Sequence, residues 1–372
     1  MAFSFGFSGD DIDIDDAEPN NDVQDVIPSQ ATGNSLPELV KASKHNIDHW
    51  LSTLPSQISF NKLAIPNTSI VIARREIFDI RTQLMAEDSA GHDNEELIAG
   101  IEHGDLKPNF YEGGFKTWEC ALDLAKLVAK DNTILDTLSN SQNDTHIIEL
   151  GAGTAVPSIA LFAHVLSQTK PAEVSSLQRK IHFTFADYND AVLRLVTLPN
   201  LLLTWYNSRA ETEKTATEDQ ETLQPQPEEE LDITPELVEE FKTDLTQRGI
   251  VIDFISGAWS PEFVDLVFSA HHSKDCKTLV LASETIYSPS SLRAFSETLV
   301  ALLRHSSSPA VKSHALVAAK KVYFGVGGGV DEFLAVMKDV CATEIEIQQT
   351  VDVQSEGVGR VVLEVNLPAH DA

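Results

Sequence analysis

The chain has 372 residues, and its 42% of hydrophobic residues is enough to fill one large core. Its 57 acidic and 27 basic side chains give a formal net charge of −30, which disfavours bare nucleic acid as a ligand and favours basic partners. The sequence has neither an apolar run of about 18 residues nor a basic leader before an apolar stretch, so we expect no membrane span and no signal peptide. Cys120, Cys276 and Cys341 lack metal-ligand spacing, and we expect reduced, intracellular thiols and no metal site.

Two segments precede the main pattern of the chain. Residues 1–35 are acidic and are predicted to form a disordered arm. Residues 36–110 are predicted to form an N-terminal extension that packs on the core. Within it, apolar spacing predicts a helix over Leu36–Leu51. Ile58–Arg81 is predicted to be largely extended, with the partial alternation of a strand over Ile70–Arg81.

The remainder, residues 111–368, alternates short apolar runs with helical patterns. A helix is predicted over Lys116–Val128, and an acidic insertion at about residues 208–235 is predicted to be disordered. Seven strands are predicted, at Ile147–Leu150, Ile181–Ala186, Val251–Ser256, Thr278–Ala282, His314–Ala319, Thr343–Gln349 and Arg360–Val365. This order predicts an α/β fold: a Rossmann-like, seven-stranded sheet, mostly parallel, with helices on both faces, a final hairpin, and ligands at the carboxyl ends of the strands.

A glycine turn follows the first of these strands in the segment HIIELGAGTAVPSIAL. Gly151 and Gly153 let the main chain approach a ligand closely, and the helix that begins next presents free N–H groups. The segment therefore predicts a cradle for a nucleoside cofactor. A dinucleotide fingerprint would have a third glycine where Val156 stands, so a nicotinamide oxidoreductase is disfavoured. E-L-G-x-G-x-x-x-P instead resembles the first motif of S-adenosylmethionine-dependent methyltransferases.

Residues that follow the second and third strands suit the rest of a nucleoside. Asp187 could accept hydrogen bonds from both ribose hydroxyls, with Tyr188 and Asn189 beside the adenosine. The alternative for Asp187 is the N-cap of a helix over Asp190–Leu201. After the third strand, Gly257-Ala258-Trp259 provides an indole that could stack on adenine, and the alternative for this tryptophan is packing in the core.

Ser283-Glu284-Thr-Ile-Tyr287 follows the fourth strand, at the position that faces the reacting end of a cofactor. Glu284 and Tyr287 are an acceptor and a donor that could orient a substrate nitrogen, and a helix cap is the alternative. Upstream, GGFKTWEC predicts a flap over the cofactor or an ordinary core helix. Downstream, the glycines of KKVYFGVGGGVDEF precede an acidic residue, so a flexible substrate-gating turn is preferred to a phosphate loop.

These motifs in this order, GGFKTWEC, IIELGAG, DYN, GAW, SETIY and KKVYFGVGGG, resemble those of the eukaryotic protein-histidine N-methyltransferases. That family belongs to the class I methyltransferases, whose sheet has seven strands. The opening MAFSFGF is similar to fungal members. The resemblance covers about Ser43–Leu367, and the acidic insertion after Asn207 departs from it.

The resemblance implies S-adenosylmethionine as methyl donor and a histidine as acceptor, methylated on the ring nitrogen remote from the backbone (tele) in a basic large-subunit ribosomal protein, number three. We further expect, by default, a monomer, located in the cytoplasm and nucleus, and we expect no contact with nucleic acid or membrane. Together with the glycine turn, the resemblance implies that the cofactor is lined by Thr117, Trp118, Glu119, Cys120, Ala121, Gly151, Gly153, Asp187, Tyr188, Asn189, Gly257, Ala258, Trp259 and Ser283.

Two rival functions stay open from the sequence. Glu284-x-x-Tyr287 also resembles the acidic-x-x-aromatic signature of a sister group that methylates protein lysines. The acidic charge also suits a non-catalytic escort of a basic ribosomal protein, although the intact Gly151, Gly153 and Asp187 argue against a defunct cofactor site.

Overall fold

The computed structural model describes residues 40–87, 94–102, 105, 113–174, 179–214, 229–269, 276–306, 313–341, 345–354 and 357–367. The predicted acidic arm, residues 1–35, lies outside these ranges. The strands are β1 Ser43–His45, β2 Gln57–Ala64, β3 Val71–Arg75, β4 Thr145–Leu150, β5 Ile181–Asp187, β6 Glu229–Asp232, β7 Ile250–Ser256, β8 Lys277–Ser283, β9 His314–Lys320, β10 Glu346–Val353 and β11 Arg360–Asn366.

The helices are α1 Ile47–Ser52, α2 Ile77–Glu87, α3 Glu95–Glu102, α4 Glu119–Val128, α5 Asn132–Asn140, α6 Val156–Gln168, α7 Asp190–Val192, α8 Leu198–Lys214, α9 Pro235–Gln247, α10 Pro261–Val267, α11 Pro289–Ser306 and α12 Val330–Cys341. A π-helical segment, Leu193–Thr197, joins α7 to α8. Within the described ranges, no helix is both long and apolar enough to span a bilayer. All three cysteines of the chain are buried free thiols.

The central sheet of the described structure has the strand order β1-β7-β5-β4-β8-β9-β11-β10. Strands β7, β5, β4, β8 and β9 are parallel, and β11 and β10 form an antiparallel hairpin at one edge. Every residue of β4 and β5 is buried, as expected for parallel strands covered on both faces. The predicted seven-stranded α/β class is confirmed, and an eighth strand, β1, pairs antiparallel with β7 at the other edge.

A second sheet, β3-β2-β6, packs on helix α8. Ile58 and Phe60 of β2, Ala73 of β3 and Leu231 of β6 are buried together with Leu203 of α8. The N-terminal residues of this sheet therefore pair with a strand that follows the acidic stretch, although about 170 residues separate β2 from β6; Gln57 pairs with Asp232. This pairing ties the N-terminal extension to the core.

The structure corrects three predictions in the N-terminal half. The helix predicted over Leu36–Leu51 is wrong, because Ser43–His45 is a strand and α1 begins only at Ile47; the edge of β7 provides hydrogen-bond partners that local spacing does not reveal. The extended segment Ile58–Arg81 ends at Arg75, where α2 follows after one residue. The helix predicted from Lys116 begins at Glu119.

The acidic insertion is also shorter than predicted. Helix α8 continues to Lys214, β6 begins at Glu229, and α9 begins at Pro235, so disorder over about 208–235 is wrong at both ends. Residues 215–228 lie outside the described ranges. Strand β6 forms in this acidic sequence because β2 offers it a pairing edge and Leu231 is buried.

Candidate functional site

A cavity of about 760 Å³ opens at the carboxyl ends of β4, β5, β7 and β8, at the position expected for a ligand of an open parallel sheet. Eleven of the sequence-predicted site residues line it. They are Trp118, Ala121, Gly151, Gly153, Asp187, Tyr188, Ala258, Trp259, Ser283, Glu284 and Tyr287. The other five, Thr117, Glu119, Cys120, Asn189 and Gly257, lie behind the wall or beside it.

The glycine turn after β4 forms the floor of the cavity. Gly151 and Gly153 both have positive φ, +64° and +52°, a conformation that glycine adopts without strain. A Cβ on Gly153 would stand 3.2 Å from the Cα of Gly114, so two glycine backbones are packed face to face. The turn can therefore bring main-chain atoms against a ligand, and a side chain there would separate it from the Gly113–Trp118 segment.

The π-helical segment Leu193–Thr197 and the start of α8 hold this turn from behind. Pro199 has no N–H to give Leu195, and the Leu195 carbonyl instead accepts a hydrogen bond from Arg75 Nη1 at 3.0 Å. In the same region Thr197 Oγ1 donates to Gly153 O at 2.7 Å. Asn200 Nδ2 donates to Thr154 O at 3.1 Å. The side chains of Thr197 and Asn200 therefore fix the shape of the turn by bonding to its carbonyl oxygens.

Asp187 ends β5 and is the main acceptor at the centre of the cavity. Its carboxylate accepts hydrogen bonds from the N–H groups of Gly153 (3.0 Å) and Asn189 (3.1 Å). Burial raises its pKa to about 7, against the lowering effect of these two hydrogen bonds, and the charge of Asp105 raises the pKa further. The N-cap of α7 is Asn189, so the alternative assignment of Asp187 as the helix cap is wrong.

A second buried carboxyl group lies one layer below the turn. Glu149 of β4 accepts a hydrogen bond from the N–H of Ser158 in the first turn of α6 at 3.0 Å. Burial raises its pKa to about 8, which the Ser158 hydrogen bond opposes. Burial thus shifts Glu149 toward its neutral form, and its carboxyl oxygen supports the start of α6 by accepting from Ser158 N–H.

Asp105 organises the segment that covers the glycine turn, and the sequence analysis missed it. It is fully buried with positive φ (+61°). Its Oδ2 accepts hydrogen bonds from Gly114 N (3.0 Å), Lys116 N (3.0 Å) and Trp118 Nε1 (3.1 Å), and its Oδ1 accepts from Phe115 N (3.2 Å). One carboxylate thus fixes four donors of a segment that has little regular structure. The only sequence signal was an acidic residue a few positions before two glycines.

The side chains of Thr117–Ala121 point in different directions, because α4 begins at Glu119 within this segment. Trp118 and Ala121 line the cavity. Thr117 is buried and bonded to Thr154 Oγ1 at 3.1 Å, behind the wall. Glu119 turns away toward Arg360, with its Oε1 3.1 Å from the guanidinium. The Cys120 side chain is fully buried.

One side of the cavity combines residues that follow β5 and β7 with the N-terminal extension. Tyr188, Ala258 and Trp259 line it, and Trp259 also packs edge-on against Phe263 of α10. The wall includes Val40, which the sequence analysis missed; its carbonyl accepts a hydrogen bond from Ala258 N at 2.9 Å. The pairing of β1 with β7 at the sheet edge thus brings the N-terminal segment to the wall of the cavity.

Gly257 and Asn189 stand just behind this wall. Gly257 N donates to Asp187 O at 3.1 Å, so it joins the turns after β5 and β7. The Asn189 side chain is partly buried, and its Nδ2 atom has no hydrogen-bond partner among the described residues. Both residues support the ligand wall through the main chain.

Glu284 and Tyr287 lie together at the opposite end. Glu284 is buried with a positive φ of +56°, which is strained for a residue with a side chain. Its Oε2 accepts from Tyr323 Oη at 2.5 Å, and its Oε1 accepts from Cys120 N at 3.4 Å. Burial raises the pKa of Glu284. The Tyr287 ring stands 6.5 Å from the Trp118 ring, so aromatic groups border this end of the cavity.

Comparisons with known proteins identify the chemistry that this cavity serves. No family model matches the chain. The chain is 34% identical over 365 residues to histidine protein methyltransferase 1 of Schizosaccharomyces pombe, an alignment that covers 97% of this chain and 92% of the relative. It is 32% identical over 363 residues to histidine protein methyltransferase 1 of Saccharomyces cerevisiae, with 92% of each covered. The chain belongs to the histidine protein methyltransferase 1 family.

Membership confirms the predicted family, the enzyme class and S-adenosylmethionine as methyl donor. A solved structure from Listeria monocytogenes, described as a class I S-adenosylmethionine-dependent methyltransferase, is 12% identical. It covers 79% of this chain and 69% of its own, with a TM-score of 0.35, too low to inform on function. The lining is compatible with the donor, because Gly151, Gly153 and Asp187 meet in one cavity and a carboxylate there could accept hydrogen bonds from ribose hydroxyls.

Proposed function

We propose that this enzyme methylates the tele nitrogen of a histidine in a basic large-subunit ribosomal protein, number three of that subunit. Family membership over 97% of the chain is the observation that carries the histidine acceptor. The net charge of −30 supports a basic protein partner. Such a substrate is made in the cytoplasm and assembled in the nucleus, so we propose both locations. We also propose that the enzyme acts as a monomer without contacting nucleic acid or membrane.

The acceptor nitrogen sets what the chain has to do. When bound, S-adenosylmethionine supplies an electrophilic methyl group. Neutral imidazole, with an unperturbed pKa of about 6.5, already has a free lone pair at neutral pH, so no strong base is needed. The site has to select the tautomer in which the near nitrogen carries the proton and the remote one is free. Positioning of this kind can contribute about 7–11 kcal/mol to lowering a barrier.

Glu284 and Tyr287 are the groups that we assign to this positioning. Tyr323 and the Cys120 N–H fix the Glu284 carboxyl group, which lines the cavity. This group can accept a hydrogen bond from the N–H of the near ring nitrogen of an imidazole. An ionised Glu284 would also balance the positive charge that the ring gains on methylation. The Tyr287 ring offers a flat surface beside Trp118 for the imidazole. These contacts support a mechanism in which the ring is oriented without a separate catalytic base.

The test is analysis of the methylated amino acid. Large-subunit ribosomal proteins from cells that lack this activity, free and in assembled subunits, are incubated with enzyme and methyl-labelled donor, then hydrolysed. We expect tele-methylhistidine in protein number three. Methyllysine would support the rival lysine methyltransferase, pros-methylhistidine would contradict the assigned nitrogen, and label in a different protein would contradict the substrate.

The same assay tests the two positioning residues. We expect Glu284→Gln to lower kcat by about tenfold or more, because a neutral amide cannot balance the charge on the product ring, and to leave the dissociation constant of S-adenosylhomocysteine within about twofold. Tyr287→Phe keeps the ring and should have a smaller effect. Full turnover in both variants would contradict the assignment.

A further inference from the structure

The loop between β9 and α12 exposes apolar side chains beside the cavity. Val322, Phe324 and Val326 are exposed by 49%, 79% and 43%, and Phe324 is the most exposed large hydrophobic residue in the described parts of the chain. Tyr323 points the other way, is 7% exposed, and donates to Glu284. We call residues Val322–Val326 the rim loop. Buried and exposed side chains alternate along it, so the Tyr323 ring is anchored next to Glu284 while Val322 and Phe324 are exposed to solvent.

Hydrogen bonds and close packing hold the rim loop in place. Tyr323 N donates to Gly328 O and Gly327 N donates to Tyr323 O, both at 3.1 Å. A Cβ on Gly328 would stand 2.1 Å from the carbonyl oxygen of Tyr287, so the main chain after the rim loop packs directly against the segment that lines the cavity. These contacts dock the rim loop against the segment that lines the cavity, and the flexible substrate-gating turn expected from the sequence stays a prediction.

A partner that covered the rim loop would gain free energy from burying its apolar side chains. Exposed apolar side chains that stand singly are common, but a contiguous group marks an interaction surface. Phe78 on α2 is also exposed, by 51%, but it is not among the residues that line the cavity. The rim loop instead adjoins the cavity through Tyr287, and the exposed Asp331 and Glu332 follow it at the start of α12. Apolar and acidic groups are therefore combined next to the cavity.

We propose that the rim loop is the docking surface for the substrate segment that flanks the target histidine. An apolar side chain near that histidine packs on Phe324, and basic side chains beyond it face Asp331 and Glu332. This inference rests on the proposed function, since the histidine has to enter the cavity beside Tyr287. The rim loop would then select the sequence context of the histidine, while Glu284 and Tyr287 orient its ring.

The kinetic test uses Phe324→Ser, with Phe78→Ser as the matched control of an exposed phenylalanine elsewhere. The probe is the large-subunit ribosomal protein fraction from cells that lack the activity. We expect Phe324→Ser to raise the apparent KM about tenfold or more, as for a central interface residue, with kcat and the S-adenosylhomocysteine dissociation constant unchanged. Equal KM values for Phe324→Ser and Phe78→Ser would overturn the proposal.

Photo-crosslinking distinguishes this contact from others. Benzoylphenylalanine replaces Phe324 or, as control, Phe78 in the full chain, and the adduct with the same fraction is mapped. We expect an adduct only at position 324, within a few residues of the methylated site. An adduct with a second copy of the enzyme, or with its own N-terminal residues, would overturn the proposal. If wild-type enzyme methylates lysine, the proposed function fails, but an adduct beside that lysine would still support the docking surface.

Discussion

The two ends of the cavity are built in opposite ways. At the end that we assign to the nucleoside, Gly153, Asp187 and Asp105 are buried, and each carboxylate accepts hydrogen bonds from main-chain N–H groups. At the other end, the rim loop exposes Phe324 and its neighbours to solvent, and only Tyr323 reaches inward. The first end presents a rigid surface made by the backbone, and the second presents replaceable side chains.

This contrast indicates a division of labour between the two ends. A donor common to many reactions can be bound by main-chain geometry. Few substitutions of the residues that fix this geometry would leave it unchanged. A protein substrate has to be distinguished from others by its side chains, for which an exposed apolar loop is suited. Changes at the nucleoside end should therefore alter donor affinity and stability together. Changes in the rim loop should alter only the use of the protein substrate.

Removal of the Asp187 carboxylate should have the largest effect. Asp187→Ala leaves two buried N–H groups without an acceptor and removes the group assigned to the ribose hydroxyls. Hydrogen bonds to charged groups contribute about 1.5–3 kcal/mol each, so we expect the affinity for S-adenosylhomocysteine to fall about 100-fold or more. Isothermal titration calorimetry measures this. An affinity within threefold of wild type would show that Asp187 does not hold the donor.

Asp105→Ala should come next and would sharpen the comparison, because Asp105 acts through the segment that it organises. We expect a loss of about 2–4 kcal/mol in the free energy of unfolding and about a 10- to 100-fold loss of donor affinity. The control is Asp131→Ala, which removes the N-cap of α5 and its hydrogen bonds to Thr133 and Ile134. It should cost about 1 kcal/mol in stability and leave donor affinity unchanged. Equal affinity losses in both variants would mean that Asp105 acts only on global stability.

The smallest predicted effect is the pH dependence of donor affinity. Burial raises the Asp187 pKa from 3.8 to about 7, so the free enzyme favours the protonated form below pH 7. The ribose hydroxyls favour the ionised form, and affinity should therefore rise as pH rises through 7. Between pH 6 and pH 8 the ionised fraction changes about tenfold, and the S-adenosylhomocysteine association constant should follow.

Two variants identify the group responsible for this pH dependence. Asp187→Asn should bind more weakly with a flat profile over the same range. Glu149→Gln removes the neighbouring buried group, whose pKa is about 8, and should keep the tenfold change. A flat wild-type profile, or one abolished by Glu149→Gln, would contradict the assignment to Asp187.

The strands that could be predicted are those whose hydrophobic pattern lies within their own few residues. Strands β4, β5 and β8 were predicted to within two residues because each contains several closely spaced apolar residues, as is typical of strands buried on both faces. Strand β1 was missed because three residues have no pattern of their own and gain their partners from β7, where His45 bonds to Ser256 across 211 positions. Strand β6 was hidden for the same reason inside an acidic sequence.

The site residues also fall into those that local motifs predict and those that depend on distant partners. Motifs at strand ends gave the cavity residues, since parallel strands bring their carboxyl ends together. They did not give Asp105, whose partners are donors of an irregular segment, nor the direction in which each α4 residue faces. Glu119 was expected at the cofactor, but Arg360, 241 positions away, draws it to the other side of the helix. Long-range partners of this kind leave no signal in local spacing.

One comparison tests the division between the two ends most directly. The S-adenosylhomocysteine affinity and the apparent KM for the protein fraction are both measured for wild type, Asp187→Ala and Phe324→Ser. We expect Asp187→Ala to lose affinity for S-adenosylhomocysteine while Phe324→Ser retains it, and Phe324→Ser to raise the protein KM with an unchanged kcat. Loss of S-adenosylhomocysteine binding in Phe324→Ser, or wild-type affinity in Asp187→Ala, would contradict this account.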